Sequence, residues 1–111
     1  MAVEDAERIF AVPGIDAIFV GPNDLAASMR SKDGKPPSAE ATAQAMKHIL
    51  ATCKKVGVAA GVHCFSADEV IARREEGWQF LAINSELRMR MDAAGEVVRR
   101  VGLKGTESAK Y

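Results

Sequence analysis

One carboxylate in this sequence follows the end of an apolar run, where chemistry is commonly done. Ala17-Ile18-Phe19-Val20 has the length and character of a β-strand, stops at Gly21-Pro22, and is followed through Asn23 by Asp24. In parallel α/β proteins, ligands and metals are held at the carboxyl ends of strands. An Asp there can ligate a hard cation. It can equally cap a helix, and by spacing alone a cap for a turn starting at Leu25 is the preferred reading. Gly21 would let a ligand approach the main chain, and Pro22 would fix the turn.

Other reactive side chains are sparse. His63 closes a second apolar run, Val58-Ala59-Ala60-Gly61-Val62, and Cys64 follows it directly. A His–Cys catalytic pair is disfavoured because adjacent strand residues point to opposite faces. Two cysteines, Cys53 and Cys64, are too few for a disulfide framework and lack zinc-site spacing, so both read as reduced thiols. His48 lies among lysines on a helix and reads as surface. Asn84-Ser85 ends a third apolar run, where Ser85 reads at least equally well as a helix N-cap.

The elements that must position these residues alternate between helix and strand. A helix over residues 2–11 would present Val3, Ala6, Ile9 and Phe10 on one face. Strands follow at about 16–20, 58–63 and 79–83, with a short helical turn after Asp24 to about Met29. Residues 30–37 form a polar loop rich in breakers. Ser38 caps a long helix to Val56, with Met46, Ile49, Leu50 and Cys53 inward and Gly57 as its stop. Ser66-Ala67-Asp68-Glu69 is a capping box, with Phe65 and Val70 in the staple positions, and that helix ends at Gly77. A last helix, about 86–101, aligns Leu87, Met91, Ala94, Val98 and Val101 on one stripe before Gly102. Residues 103–111 read as a frayed tail. The fold class is therefore α/β with parallel strands, and the continuous apolar strands suggest a sheet covered on both faces.

Composition narrows the classes of function. The 111 residues suffice for one domain, 48% hydrophobic and 27% charged, with fifteen basic residues against fifteen acidic ones. That balance, without long runs of either sign, argues against a nucleic-acid partner or an anionic membrane. No apolar stretch is long enough to span a bilayer, and the acidic start lacks the features of a signal peptide. A cytoplasmic location is expected.

The segment Val12-Pro13-Gly14-Ile15-Asp16 followed by Gly21-Pro22-Asn23-Asp24-Leu25 resembles the metal-dependent pyruvate aldolases of the HpcH/HpaI family. The resemblance runs from about Glu4 to about Val101. It implies a partial TIM (β/α)8 barrel, with residues 1–102 forming the last three β/α units. It also reverses the reading of Asp24, which becomes a ligand to a divalent metal, Mg²⁺ or a similar ion such as Mn²⁺ or Co²⁺. The implied activity is carbon–carbon lysis, in which a 4-hydroxy-2-oxo acid gives pyruvate and an aldehyde through a metal-stabilised enolate. Gly21, Pro22, Asn23 and Asp24 would hold the small-molecule 2-oxo acid, with the amides after Pro22 near its carboxylate. A lone histidine such as His63 reads from the residues as a hydrogen-bonded structural side chain; the resemblance would instead have it line the pocket where the family commonly has an apolar residue, favouring a polar or charged acceptor aldehyde. Ser85 falls near the substrate by the same resemblance, although Asn84-Ser85-Glu86 departs from the usual Gly-Ser or Gly-Val pair followed by Asp.

A Schiff-base mechanism would need a desolvated lysine inside the barrel. Every lysine here falls in a helix, a loop or the tail, which favours the metal route. The family's second metal-binding carboxylate, its histidine–acid pair and its carboxylate-binding arginine correspond to nothing in this chain. A full barrel needs eight strands and about 250 residues. The isolated chain is thus expected to be inactive, and the full-length family to be homo-oligomeric. A non-catalytic remnant or subunit-interaction piece is the main alternative, and a CoA-ester lyase of the citrate lyase β-chain type the second.

Overall fold

A computed structural model describes residues 3–102; the expected tail, 103–111, lies outside the described residues. The elements run α1 (Ala6–Phe10), β1 (Ala17–Val20), α2 (Pro22–Ser28), α3 (Ala39–Val56), β2 (Ala59–Cys64), α4 (Ala67–Glu76), β3 (Phe80–Ile83) and α5 (Glu86–Arg100). The three strands form one parallel sheet in the order β1-β2-β3. The mixed α/β class and the parallel strands agree with the sequence reading.

The boundaries follow local chemistry. Ser38 and Ser66 accept hydrogen bonds from the Ala41 and Glu69 backbone N–H groups, which caps α3 and α4. Gly57 and Gly77 end the same helices at φ 79° and 106°, where a side chain would be strained. The capping box closes one residue early, because Glu69 Oε2 accepts from the Phe65 N–H at 2.9 Å. Two expectations need correction. The first helix is shorter than residues 2–11, because residues 3–5 are turn. Helix α2 begins at Pro22, so Asp24 lies in its first turn and does not cap a turn at Leu25. Proline at the first helical position is preset for that start and has no N–H to leave unpaired.

Strand alternation gives the sheet two faces. Val20, Ala60, Val62 and Cys64 lie on the helix-covered face, in one core with Phe10, Met46, Ile49, Leu50, Cys53 and Trp78. Helix α3 packs on β2, α1 on α3, and α4 on β2 and β3. The opposite face carries Phe19, Gly61 and Phe80 in register across the three strands. The rings of Phe19 and Phe80 meet over Gly61 with centroids 5.2 Å apart. A Cβ on Gly61 would fall 2.9 Å from Phe19 and 3.0 Å from Phe80, so glycine makes room for that contact. Phe19 and Phe80 remain 45% and 55% exposed. Within the described residues the sheet is therefore covered on one face, and the expectation of two covered faces is not met. Apolar runs mark both sides as suited to burial without stating what covers each.

Helix α5 buries none of its residues. Leu87, Met91 and Val101 of its apolar stripe are half-exposed or more. The radius of gyration is 17.2 Å, against about 13 Å for a compact chain of this length.

The two kinds of apolar position should separate in stability measurements. Ile49→Ala, in the core at 4% exposure, should cost about 2–5 kcal/mol in urea unfolding. Met91→Ala, on the exposed stripe of α5, should change it by about 0.5 kcal/mol or less. A large loss at Met91 would show that α5 packs against something in solution.

Candidate functional site

The register of the sheet sets the site. Val20 pairs with Val62, so Gly21, the first residue past β1, stands level with His63, which is still in β2 and paired with Ala82 of β3. Past that edge β1 turns directly into α2, while β2 ends at Cys64 and enters the cap of α4. An open pocket of about 330 Å³ lies between them, lined by Phe19, Gly21, Pro22, Asn23, Asp24, His63 and Phe65. Five of the six residues singled out from the sequence thus share one concavity.

Asp24 is exposed and occupies the first turn of α2, where a negative charge is favoured by the helix dipole. Among the described residues no hydrogen bond or ion pair engages its carboxylate. The space above Gly21, which the sequence suggested for a ligand carboxylate, holds Asp24 Oδ2 instead. His63 is half-buried, and its ring stacks at a tilt on Phe65 with centroids 5.1 Å apart. Phe19 and Phe65 were not singled out as pocket residues. The signal for Phe19 is its place in β1 two residues before Gly21, since alternate residues along an extended segment share a face; Phe65 is the first residue past β2.

Ser85 is placed elsewhere. Its hydroxyl accepts from the Arg88 N–H at 3.2 Å and caps α5, and it is not among the residues lining the pocket. Asn84 before it takes φ 48°, a left-handed conformation that asparagine tolerates better than most residues. That explains how asparagine stands where the resembling family commonly has glycine.

The cysteines offer no nucleophile here. Cys64 is fully buried on the helix-covered face; burial raises its thiol pKa, the Glu69 carboxylate adds to the rise, and Arg73 offsets part of it. Burial likewise raises that of Cys53. The fit of a divalent cation can be judged from the donors alone. An unpaired carboxylate oxygen at a pocket mouth suits a hard ion, but no group of three or more His, Cys, Asp or Glu side chains gathers around a possible ion among the described residues. Asp24 fits as one ligand of a set that these residues do not complete. No described helix is long and apolar enough to cross a membrane.

A parallel β/α sheet with a free carboxylate just past a strand end defines a class of α/β proteins that work at that edge. The sequence profile of the HpcH/HpaI aldolase/citrate lyase family matches residues 1–93, and the chain belongs to that family. It is 32% identical over 100 residues to a hydroxypyruvate/pyruvate aldolase of Paraburkholderia phytofirmans, covering 89% of this chain and 37% of the relative. It is 36% identical over 107 residues to the 2-dehydro-3,6-dideoxy-6-sulfogluconate aldolase of Pseudomonas putida, covering 96% and 40%. An HpcH/HpaI family crystal structure from Burkholderia cenocepacia J2315 superposes with a TM-score of 0.77 at 32% identity, covering 89% of this chain and 38% of that one. An HpcH/HpaI aldolase from Desulfitobacterium hafniense DCB-2, at 23% identity, shows the same fold with a TM-score of 0.76 over 96% and 41%. The chain spans about two-fifths of the length of these relatives.

Both thiols should resist a chromogenic disulfide reagent in the folded protein and react on unfolding. Their raised folded pKa values make a linked contribution to stability that is full below the ordinary thiol range and lost as pH rises through the raised values. Urea midpoints should accordingly fall on the alkaline side, and Cys53→Ala/Cys64→Ala should flatten that fall.

Proposed function

We propose that this chain carries part of the active site of a metal-dependent aldolase acting on 4-hydroxy-2-oxo acids, with Asp24 as one ligand to a divalent cation such as Mg²⁺ or Mn²⁺. The observation that carries the reading is the unpaired Asp24 carboxylate at a pocket formed by two adjacent strand ends, in a chain of this family. The aldolase names of its relatives favour aldol cleavage over CoA-ester lysis. When bound, the ion supplies Lewis-acid stabilisation of charge developing on the oxo acid. The chain's own residues do the remaining work. Pro22 stiffens the turn, and the main-chain amides after it, at Asn23 and Asp24, offer contacts to the carboxylate of the oxo acid. His63 and Phe65 form the opposite wall, where a polar aldehyde-derived end would meet the imidazole.

The open sheet face and the coverage of the solved relatives support a further reading: the three strands are consecutive units of a larger (β/α)8 barrel, with Phe19 and Phe80 facing its interior. Closure by further parallel strands would cover that face and bring additional donors to Asp24. The non-catalytic alternative draws on the same incomplete donor set.

Calorimetric titration with Mg²⁺ or Mn²⁺ should give weak binding that Asp24→Ala removes; indistinguishable binding by that variant takes Asp24 out of the site. Pyruvate release from a 4-hydroxy-2-oxo acid by the 111 residues alone should be negligible. Imperfect positioning can cost several powers of ten, and lack of a placed proton carrier about another 10²–10⁴-fold. Turnover near ordinary enzyme rates, lost in Asp24→Ala, would contradict this and mean that the site completes itself.

A further inference from the structure

Gly21 is under a constraint that its own backbone does not impose. Its φ of −90° and ψ of 110° are extended values open to any L-residue. The obstacle to a side chain is Asp24. A Cβ built on Gly21 would fall 2.5 Å from Asp24 Oδ2 and 3.4 Å from its Cγ, closer to the oxygen than real Cβ atoms come. The Asp24 carboxylate is folded back over the end of β1, in space left open by glycine. No donor among the described residues ties it there, and both residues line the pocket.

We propose that Gly21 is a positioning residue: its missing side chain lets Asp24 keep the rotamer that lays its carboxylate over the strand end, where the cation would be met. This rests on the reading of Asp24 as a cation ligand given above. The atom in the way is the far end of a short side chain that turns about its χ angles. Alanine at position 21 would therefore displace the carboxylate at little cost to the fold. Metal–ligand distances in sound sites fall within about 0.2 Å of their ideal values, so a displaced carboxylate weakens binding where stability is unaffected.

The test uses the 111-residue chain as wild type, Gly21→Ala, Asp24→Ala and the double variant. Without metal, the three-bond Hα–Hβ couplings of Asp24 in NMR spectra report its χ1 rotamer. One dominant rotamer is expected in the wild type and a different or averaged pattern in Gly21→Ala. The urea midpoint of that variant should be unchanged or slightly raised, since alanine restricts the unfolded chain. Mn²⁺ titration, followed by paramagnetic broadening of the residue 21–24 amides, should show affinity lowered roughly tenfold by Gly21→Ala. In the Asp24→Ala background the same substitution should change nothing. If Gly21→Ala fails to fold while the double variant folds, the collision with the carboxylate is again the cause. Identical Asp24 couplings in wild type and Gly21→Ala overturn the positioning role. If Asp24→Ala leaves the broadening intact, the cation reading fails instead, and the metal-free couplings alone decide Gly21.

Discussion

The parallel register of β2 with its two neighbours is the constraint on which the site depends. Phe19, Gly61 and Phe80 lie side by side across the sheet, and the absence of a side chain at Gly61 lets the two rings meet above it. With that row fixed, Gly21 at the end of β1 stands level with His63 in β2, and the first turn of α2 shares a pocket with His63 and Phe65. A slip of one residue along β1 would reverse every side chain on that strand. It would turn Val20 out of the core and separate Asp24 from His63.

The energetic weight lies on the other side of the sheet. Val62 and Cys64, fully buried, pack with the Met46, Ile49 and Cys53 face of α3. Serine caps start α3 and α4, and left-handed glycines stop them. These devices hold the strand ends still while the site's own residues remain solvated. Asp24 has no protein partner among the described residues, and His63 touches a ring rather than a charge. Such a division, with rigid scaffold behind and free polar groups in front, is what a preorganised site requires.

Much of this was legible in the sequence because it is local. The serine caps, the glycine stops, the three apolar runs and the strand-end location of Asp24 each follow from a few neighbouring residues. What was not legible is set by distance and direction. The start of α2 at Pro22 turned on whether proline ended the loop or began the helix, and the helix moved Asp24 from cap to first turn. Phe65 sits in a staple position, yet its ring lies on His63 and the pocket. The stripe on α5 was correctly amphipathic, but periodicity does not name the surface it meets, and within the described residues none of it is buried. Family membership comes from a different direction, through relatives that this chain matches over about two-fifths of their length.

The central claim is that the free Asp24 carboxylate is a cation ligand at the end of β1. Crystals of the chain grown with Mn²⁺ and pyruvate, with diffraction recorded at the manganese absorption edge, test it most directly. An anomalous peak within bonding distance of an Asp24 oxygen, about 2 Å, and inside the pocket shared with His63 is the result expected. Manganese bound elsewhere, with the Asp24 carboxylate engaged by a protein donor, would contradict it.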